Sequence, residues 1–438
     1  MAEYKVGKVL NEGKTKIIRE IEGGKLVEIE SKDDTTAGDG ARHDVITGKA
    51  ALSTETTSLV FQMLKDCGAY VAFSEQVGPT KFVADRCEMI PYEVVVRRDA
   101  MGSFLERHPY IARGHVFPQL MLEFFLKTKD KKWLDHALPA DDPLCAFRDG
   151  QLHLYHPHQP LHGQEPFLVL DDFPLKGEIR NLEAIGNHAK FVFLVLEKCF
   201  QQVGAQLNDF KVEFGYAERG GILLADVIDA DSWRTDYKGQ QISKQVYREG
   251  ATPEEFRSKA EIALQLVRQF RLPRQRVVLW QGSKDDDPKP FLDEFIRIAD
   301  NMSVQKDCEW RRVVCSMHKE PARGYQILAT LEHEVPGTVI IADIGMSNGA
   351  GPTLSANTTL PVITTVQKFK DFPEDVWSSL RTPRATPVST VLSPKNAVLH
   401  ALQILAMQNP RLYAILRLEQ EKRLRNFVEL DNLDFHVE

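Results

Sequence analysis

Asp209-Phe-Lys-Val-Glu-Phe-Gly-Tyr-Ala-Glu-Arg-Gly-Gly-Ile-Leu-Leu-Ala-Asp226 holds two strand-like runs, Phe210 to Tyr216 and Ile222 to Ile228, on either side of a Glu-Arg-Gly-Gly turn. Paired glycines between apolar runs mark a β-hairpin. Side chains alternate along a strand, so Lys211 and Glu213 share one face while Leu224, Asp226 and Ile228 share a face of the partner. Two carboxylates, Glu213 and Asp226, can then converge. Hard oxygens of this kind suit Mg²⁺ held by one or two carboxylates plus nucleotide phosphates. Cross-strand surface charge is the alternative. Asp229-Ala-Asp-Ser-Trp-Arg234 continues the same edge.

Upstream of the hairpin the chain is rich in short strands: Tyr4 to Leu10, Ile17 to Ile21, Lys25 to Glu30, Tyr70 to Phe73 and Tyr92 to Arg97. Helical spacing appears between Lys49 and Cys67, with Gly68 as the stop, and between Leu182 and Val203. Downstream, Thr252-Pro-Glu-Glu255 opens a helix to Phe270 with a cap, a first-turn proline and acidic residues at its positive end. Arg271 to Gln275 reads as a linker. Beyond it strands at Arg276 to Gln281, Trp310 to Cys315 and Thr338 to Ile344 alternate with helices at Phe291 to Ala299 and Arg323 to Leu331. That rhythm predicts βαβ units and a parallel sheet. A helical tail, Lys395 to Leu430, is interrupted at Pro410. The division expected is 1–268, a linker 269–275, and 276–438.

The 438 residues carry 55 Lys+Arg against 62 Asp+Glu, a net charge of −7, so no global basic field exists to hold nucleic acid or an anionic membrane. No apolar run approaches the roughly 20 residues that span a bilayer, and the N-terminus lacks a signal-peptide core. The expected compartment is the cytoplasm. Six cysteines without C-x-x-C spacing indicate neither a disulfide framework nor a zinc ribbon.

Asn11-Glu-Gly-Lys-Thr-Lys16 lies between two strands, where backbone amides and two ammonium groups can cover a polyphosphate; an exposed Lys-rich turn is the plain reading. Ser31 to Arg42 is a long polar block rich in small residues, as a ligand loop would be. Arg97, Arg98, Arg234, Lys244 and Arg248 supply cations for an anionic substrate. Together with Thr36-Ala-Gly-Asp-Gly-Ala-Arg42, Glu88-Met-Ile-Pro-Tyr-Glu93, Gly102-Ser103 and Asp231-Ser-Trp-Arg234, these blocks resemble the SAICAR synthetase family over residues 4 to 265. The resemblance implies a two-lobed α+β ligase domain. Gly13, Lys14 and Lys16 would then bind ATP with Lys211 catalytic, Glu213 and Asp226 would hold Mg²⁺, and Asp39, Arg42, Arg98, Ser103, Arg234, Lys244 and Arg248 would bind substrate. One departure is the long stretch from Lys127 to Leu161, reading His136-Ala-Leu-Pro-Ala-Asp-Asp-Pro143, where many members carry a compact acidic loop. Asp141 and Asp142 stand as the equivalents. Its His153, His156, His158 and His162 invite a zinc reading, but without cysteines or helical H-x-x-x-H spacing a proline-pinned surface segment is expected.

In the second half three polar stretches end successive strands: Gly282-Ser283, Cys315-Ser-Met-His-Lys319, and Gly345-Met-Ser-Asn-Gly-Ala-Gly-Pro352. Carboxyl ends of parallel strands are where α/β sheets bind ligands. With Asn357-Thr358 and Asp375-Val-Trp-Ser-Ser-Leu-Arg381, these motifs resemble the aminoimidazole ribonucleotide carboxylase domain of the bifunctional PAICS-type purine enzymes, and the order of the halves matches. That implies a three-layer α/β domain with a parallel sheet. His318 and Lys319 would be catalytic, and Gly282, Ser283, Asp286, Ser347, Asn348 and Gly349 would bind the ribonucleotide. Carbon dioxide or bicarbonate is the implied co-substrate without biotin, and a homo-octamer built by this domain is the implied assembly. The expected partners are otherwise small molecules, with no nucleic acid and no membrane. Asp285 in place of a serine, Met346 in place of an arginine and Met317 in place of an alanine depart from the family pattern. A gained anion and a lost cation weaken phosphate binding. An inactive oligomerising or regulatory domain, or a pair redirected to a related heterocycle, are therefore the alternatives to a working carboxylase.

Overall fold

The computed structural model describes residues 4–37, 42–128, 132–133, 136–138, 141–171, 179–218, 220–300 and 307–427. The chain separates into two compact units, Met1–Arg271 and Leu272–Glu438. The first is α+β and, among the described residues, holds two large antiparallel sheets and two two-stranded ones, Asp34–Ala37 with Arg42–Val45 and Lys132–Trp133 with His136–Ala137. A five-stranded sheet runs in the order Val6–Glu12, Lys16–Ile21, Leu26–Ser31, Lys81–Asp85, Phe73–Gly78. The helix Lys49–Asp66 packs on it, with Phe61 stacked on Phe73 at 5.8 Å. No side chain of its own caps that helix. The Asp33 carboxylate instead accepts from the N–H groups of Gly48 (3.1 Å) and Ala50 (2.9 Å), satisfying two first-turn donors from a distant loop.

The second sheet of this unit has nine strands, with Ala205–Ala217 and Cys87–Asp99 at its centre and Val116–Leu126 beyond them. Ile222–Ala225 folds back on Ala205–Ala217 as the hairpin predicts, with Glu213 opposite Ala225. Asp226 differs from the expectation. It lies one residue past the strand at φ 62, so a left-handed turn, and not strand alternation, aims its carboxylate. The helix Ile179–Gln202 covers one face of the sheet, Phe193 meeting Phe210 edge-on at 5.3 Å. The stretch from 127 to 161 is also corrected. Its Leu144–Arg148 and Gln151–Tyr155 form a hairpin that extends the sheet, turning on Asp149 (φ 51) and Gly150 (φ 78). Two residues at positive φ give the turn whose twist matches paired strands. Among the described residues no group of three or more His, Cys, Asp and Glu is placed to hold a metal, and His156 lies against Phe167 at 4.7 Å. Thr252 and Glu255 form the reciprocal cap expected at the start of Pro253–Val267.

The second unit is a parallel sheet in the order Cys308–Val314, Gln275–Gln281, Gly337–Ile344, Val362–Val366, Ser389–Thr390. The central strands Gln275–Gln281, Gly337–Ile344 and Val362–Val366 are rich in apolar residues because both their faces are buried, whereas the edge strand Cys308–Val314 carries Glu309, Arg311 and Arg312. Val277 and Leu279 point to the layer formed by Phe291, Phe295, Val398, Leu402 and Leu412. Val278 and Trp280 point to the opposite layer of Leu328, Leu331 and Leu354. The tail divides at Pro410 into helices Pro394–Ala406 and Pro410–Phe427. Three layers follow directly from this alternation. No described helix is long and apolar enough to cross a membrane.

Candidate active site

Three contiguous cavities run through the first unit. The first, about 440 Å³, is an apolar slot lined by Leu10, Ile18, Val27, Ile29, Met89 and Pro91, with Lys16, Lys127, Glu213 and Asp226 at one end. Lys16, Glu213 and Asp226 also line the second, about 190 Å³, together with Lys49, Asp229 and Asp231. Lys211, Asp231, Ser232 and Arg248 carry the second into the third, a cleft of about 550 Å³ that adds Lys14, Arg97, Ser103, Asp141, Asp142, Asp209 and Arg234. The sequence of environments is apolar, then paired carboxylates with lysines, then arginines.

At the centre Glu213 and Asp226 face one space, each matched by a lysine. Lys127 Nζ donates to both Glu213 oxygens at 2.7 Å, and Lys16 Nζ donates to Asp226. Burial pushes the Lys16 ammonium down to about 8 despite the opposing pull of Glu213. The donor set is all hard carboxylate oxygen, which fits Mg²⁺. Lys211, one pleat from Glu213, donates to Glu93 at 2.7 Å. Gly13 sits at the tip joining the first two strands, its N–H bonded to the Lys16 carbonyl at 2.9 Å.

The wall of the second cavity holds a buried charge cluster in which sequence reasoning found Asp229, Asp231 and Lys244 but missed Lys49. Asp231 accepts from Lys244 at 2.9 Å and pairs with Lys49 at 3.5 Å. Burial pushes the Asp231 carboxyl up, but Lys49 and Lys244 outweigh burial and hold it below the ordinary carboxylate range. Asp229 goes the other way, raised by burial and then by Asp231, while Ser53 and the Asp231 N–H donate to it. Lys49 reaches this cluster because Asp33 fixes the start of its helix. Nothing local in the sequence marks it. The Arg248 guanidinium lines both polar cavities and makes no hydrogen bond to another described residue.

The arginines of the third cavity require a correction. Arg98 faces away from the cleft: its Nε donates to Glu197 on the helix Ile179–Gln202 at 2.6 Å and its NH1 to the Phe117 carbonyl at 3.0 Å. Strand alternation puts Glu93, Val95 and Arg97 on the cleft side instead. Arg97 takes the place assigned to Arg98, donating to Asp209 at 2.6 Å, and Arg234 donates to the same Asp209 oxygen at 2.7 Å. Ser103 begins a short helix at the cleft wall after Gly102 (φ 58, ψ −140). Asp141, Asp142 and His158 line the same cleft. Asp39 lies outside the described residues, and of Arg42 only its place at the head of Arg42–Val45 is described.

In the second unit the three predicted polar stretches follow adjacent parallel strands at one level, Gln281 pairing with Val314 and with Asp343. They meet. His318 Nε2 is 3.8 Å from a Cβ built on Gly349, and Asp286 Oδ1 is 3.6 Å from one built on Gly345. Space opens around Gly282. The Ser283 N–H is held by the Asp286 carboxylate at 2.9 Å, and the Ser347 N–H by Asp375 at 3.1 Å. Lys319 is exposed beside His318. Asn348 is corrected: it is fully buried and donates to Ser379 at 2.7 Å, so its side chain shapes the loop from within. Met317 is explained by packing, since its sulfur fills the space left by the missing side chain of Gly324. Met346 is 53% exposed on the loop surface, and the exposed Asp285 carboxylate lies 3.4 Å from the Ser283 hydroxyl.

Comparison with known proteins agrees with both halves. The SAICAR synthetase family model matches residues 9–149 and 171–262, and the AIR carboxylase model matches residues 276–426. The chain is 35% identical over 452 residues to the chicken multifunctional protein ADE2, covering 99% of this chain and 97% of that protein. It is 35% identical over 434 residues to the human bifunctional phosphoribosylaminoimidazole carboxylase/phosphoribosylaminoimidazole succinocarboxamide synthetase, covering 94% and 93%. Among solved structures, the phosphoribosylaminoimidazole-succinocarboxamide synthase of Ehrlichia chaffeensis aligns at a TM-score of 0.49 and 24% identity, covering 60% of this chain and all of that one. With matches to both family models in order and relatives spanning nearly its whole length, the chain belongs to the family of bifunctional AIR carboxylase/SAICAR synthetases of purine biosynthesis.

Proposed function

We propose that the second unit carboxylates aminoimidazole ribonucleotide and that the first joins the carboxylated product to aspartate with hydrolysis of ATP. The observation that carries the ligase assignment is the order of environments along its cavities. The apolar slot between Val27, Ile29 and Met89 takes the adenine, and Lys14, Lys16, Lys127 and Lys211 lie where its phosphates would run. Glu213 and Asp226 are the residues to hold Mg²⁺, which when bound supplies positive charge for the phosphates. Arg97, Arg234 and Ser103 take the ribonucleotide phosphate, and Lys244, Arg248 and the 39–42 segment complete the substrate contacts.

The reaction follows from charge. A carboxylate is a poor electrophile, so its oxygen first attacks the γ-phosphorus and the bond to the ADP oxygen breaks. The aspartate amine then attacks the acyl phosphate carbon, and inorganic phosphate leaves. Negative charge moves along the phosphates in the first step, next to preoriented lysines. In the second unit His318 would carry out the proton transfer at the ring carbon that gains the carbon of carbon dioxide or bicarbonate, a reading supported by its closeness to the Gly349 loop and by Lys319 beside it. Exposed Phe372, Trp377 and Leu380 are apolar residues of this unit that the homo-octamer expected from the family would cover.

The test follows succinocarboxamide product from two inputs in the full chain: carboxyaminoimidazole ribonucleotide, or aminoimidazole ribonucleotide with excess bicarbonate above the non-enzymatic background. Asp226→Asn should abolish product from both inputs, and His318→Asn from the second alone. A ligase rate unchanged in Asp226→Asn sinks the metal assignment. Equal rates from the second input with and without His318 sink the carboxylase assignment.

A further inference from the structure

Arg107 touches none of the three cavities, yet it stands at the head of a chain of charges that ends in the substrate cleft. It is fully buried, with NH2 donating to Glu123 at 2.5 Å and NH1 to the Pro157 carbonyl at 2.6 Å, over the Phe125 ring at 5.2 Å. The second Glu123 oxygen accepts from Arg97 Nε at 2.7 Å. Arg97 NH1 then donates to Asp209 at 2.6 Å, and Arg234 donates to the same Asp209 oxygen at 2.7 Å. The order is Arg107, Glu123, Arg97, Asp209, Arg234: three guanidiniums separated by two carboxylates. Only the last three line the cleft.

Buried ion pairs of this kind are not needed for stability, because well-packed apolar residues serve as well. Their distinctive effect is directional. A planar fork that donates along two axes fixes where its carboxylate partner points. Glu123 is divided between two arginines, one oxygen each, so Arg97 binds it through Nε alone, while its NH1 is shared between Asp209 and the Met101 carbonyl at 3.2 Å. The same Arg107 side chain holds Pro157, which with the adjacent His158 lines the cleft. Its backbone carbonyl accepts from the Leu161 N–H at 2.9 Å, and neighbouring Glu106 bonds His158 at 2.6 Å. The cations of the cleft and its Pro157-His158 lining are therefore linked through one residue.

We propose that Arg107 is a positioning residue for the ribonucleotide phosphate: by taking half of Glu123 it holds Arg97, and through Asp209 also Arg234, in the orientation that receives the anion. This rests on the assignment of Arg97 and Arg234 to that phosphate. Without Arg107, Glu123 has a single partner and is free to shift, and Arg97, drawn after it through Nε and NH2, loosens the NH1 bonds to Asp209 and the Met101 carbonyl that aim it at the cleft.

The experiment measures ligase kinetics of the full chain with carboxyaminoimidazole ribonucleotide, ATP, Mg²⁺ and aspartate. Arg107→Met should raise KM for the ribonucleotide at least tenfold while kcat and KM for ATP stay within twofold. Arg107→Met combined with Glu123→Gln should return KM most of the way, because the bare carboxylate that captures Arg97 is gone. Arg97→Met serves as the reference. If it raises KM and Arg107→Met does not, the inference is overturned. If neither raises KM, the phosphate assignment itself has failed. A fall in melting temperature with kcat and both KM values shifted together, unrecovered in the double variant, makes the role merely structural and also overturns it. Should Arg107→Met not fold, Arg107→Lys keeps the charge but loses the planar fork; a smaller rise in the ribonucleotide KM is expected, and an unchanged KM refutes the proposal.

Discussion

Gly102→Ala is the smallest change that tests how the substrate cleft is built. A Cβ on Gly102 would lie 2.6 Å from Cζ and 2.9 Å from NH1 of Arg234, with NH2 nearer still, so the whole guanidinium plane must move. Arg234 then gives up its bond to Asp209 at 2.7 Å and its Nε bond to Gln245 at 3.2 Å. The backbone adds a second cost, because φ 58 with ψ −140 is accessible to glycine and strained for alanine by about 1–3 kcal/mol. A hydrogen bond to a charged group is worth about 1.5–3 kcal/mol, so losing Arg234 as a phosphate ligand should raise KM for carboxyaminoimidazole ribonucleotide by roughly 10- to 100-fold. The strain should separately lower the melting temperature. The two effects are separable by assay: steady-state kinetics varying the ribonucleotide at saturating ATP, and a thermal melt. An unchanged ribonucleotide KM, whatever the melt shows, would refute the placement of Arg234 at the phosphate.

Other perturbations bear on different parts of the molecule. Lys127→Met leaves Glu213 without its ammonium partner, so the nucleotide-free protein should bind Mn²⁺ at least several-fold more tightly by calorimetry; equal affinity tells against competition between lysine and metal for the carboxylates. His188, packed against Phe214 at 5.3 Å, has its imidazole pushed down to about 4 by burial. The unfolded chain binds that proton from pH 6.5 downward and the folded chain does not, so stability falls as pH drops from about 6.5 to 4, by about 3 kcal/mol in all. His188→Phe should remove this component, seen as a smaller shift of the urea midpoint between pH 7 and 5; identical shifts reject the buried neutral imidazole. Met346→Arg restores a cation to an exposed position on the third loop of the second unit, and KM for aminoimidazole ribonucleotide should fall severalfold. No change there would mean that Met346 does not face the substrate.

Much of the fold was legible because local pattern and tertiary environment agreed. The uninterrupted apolar runs at Val277 and Val339 demand burial on both faces, which only a parallel sheet between two helical layers supplies. Glycines at 220 and 221 closed the hairpin, and Thr252 with Glu255 closed a helix end, since both depend on residues within a few positions. The Asp149-Gly150 turn carried an equally local signal, obscured by the prolines and histidines around it.

The site divides in the same way. The family resemblance assigned Lys14, Lys16, Lys211, Glu213, Asp226, Ser103 and Arg234 to one chemistry, and all seven line the three contiguous cavities. It could not choose between Arg97 and Arg98, which are neighbours on a strand buried on both sides. The choice depends on which face meets the helix Ile179–Gln202 and which meets the cleft. Nor could it find Lys127, 86 residues from the Glu213 it pairs with, or Lys49, aimed at Asp231 by a helix whose start is held from Asp33. Short-range dihedral preference and periodicity are properties of a segment and can be read from it. Ion-pair partners far apart along the chain exist only once sheets have packed, so the electrostatics of the cleft belonged to the tertiary structure.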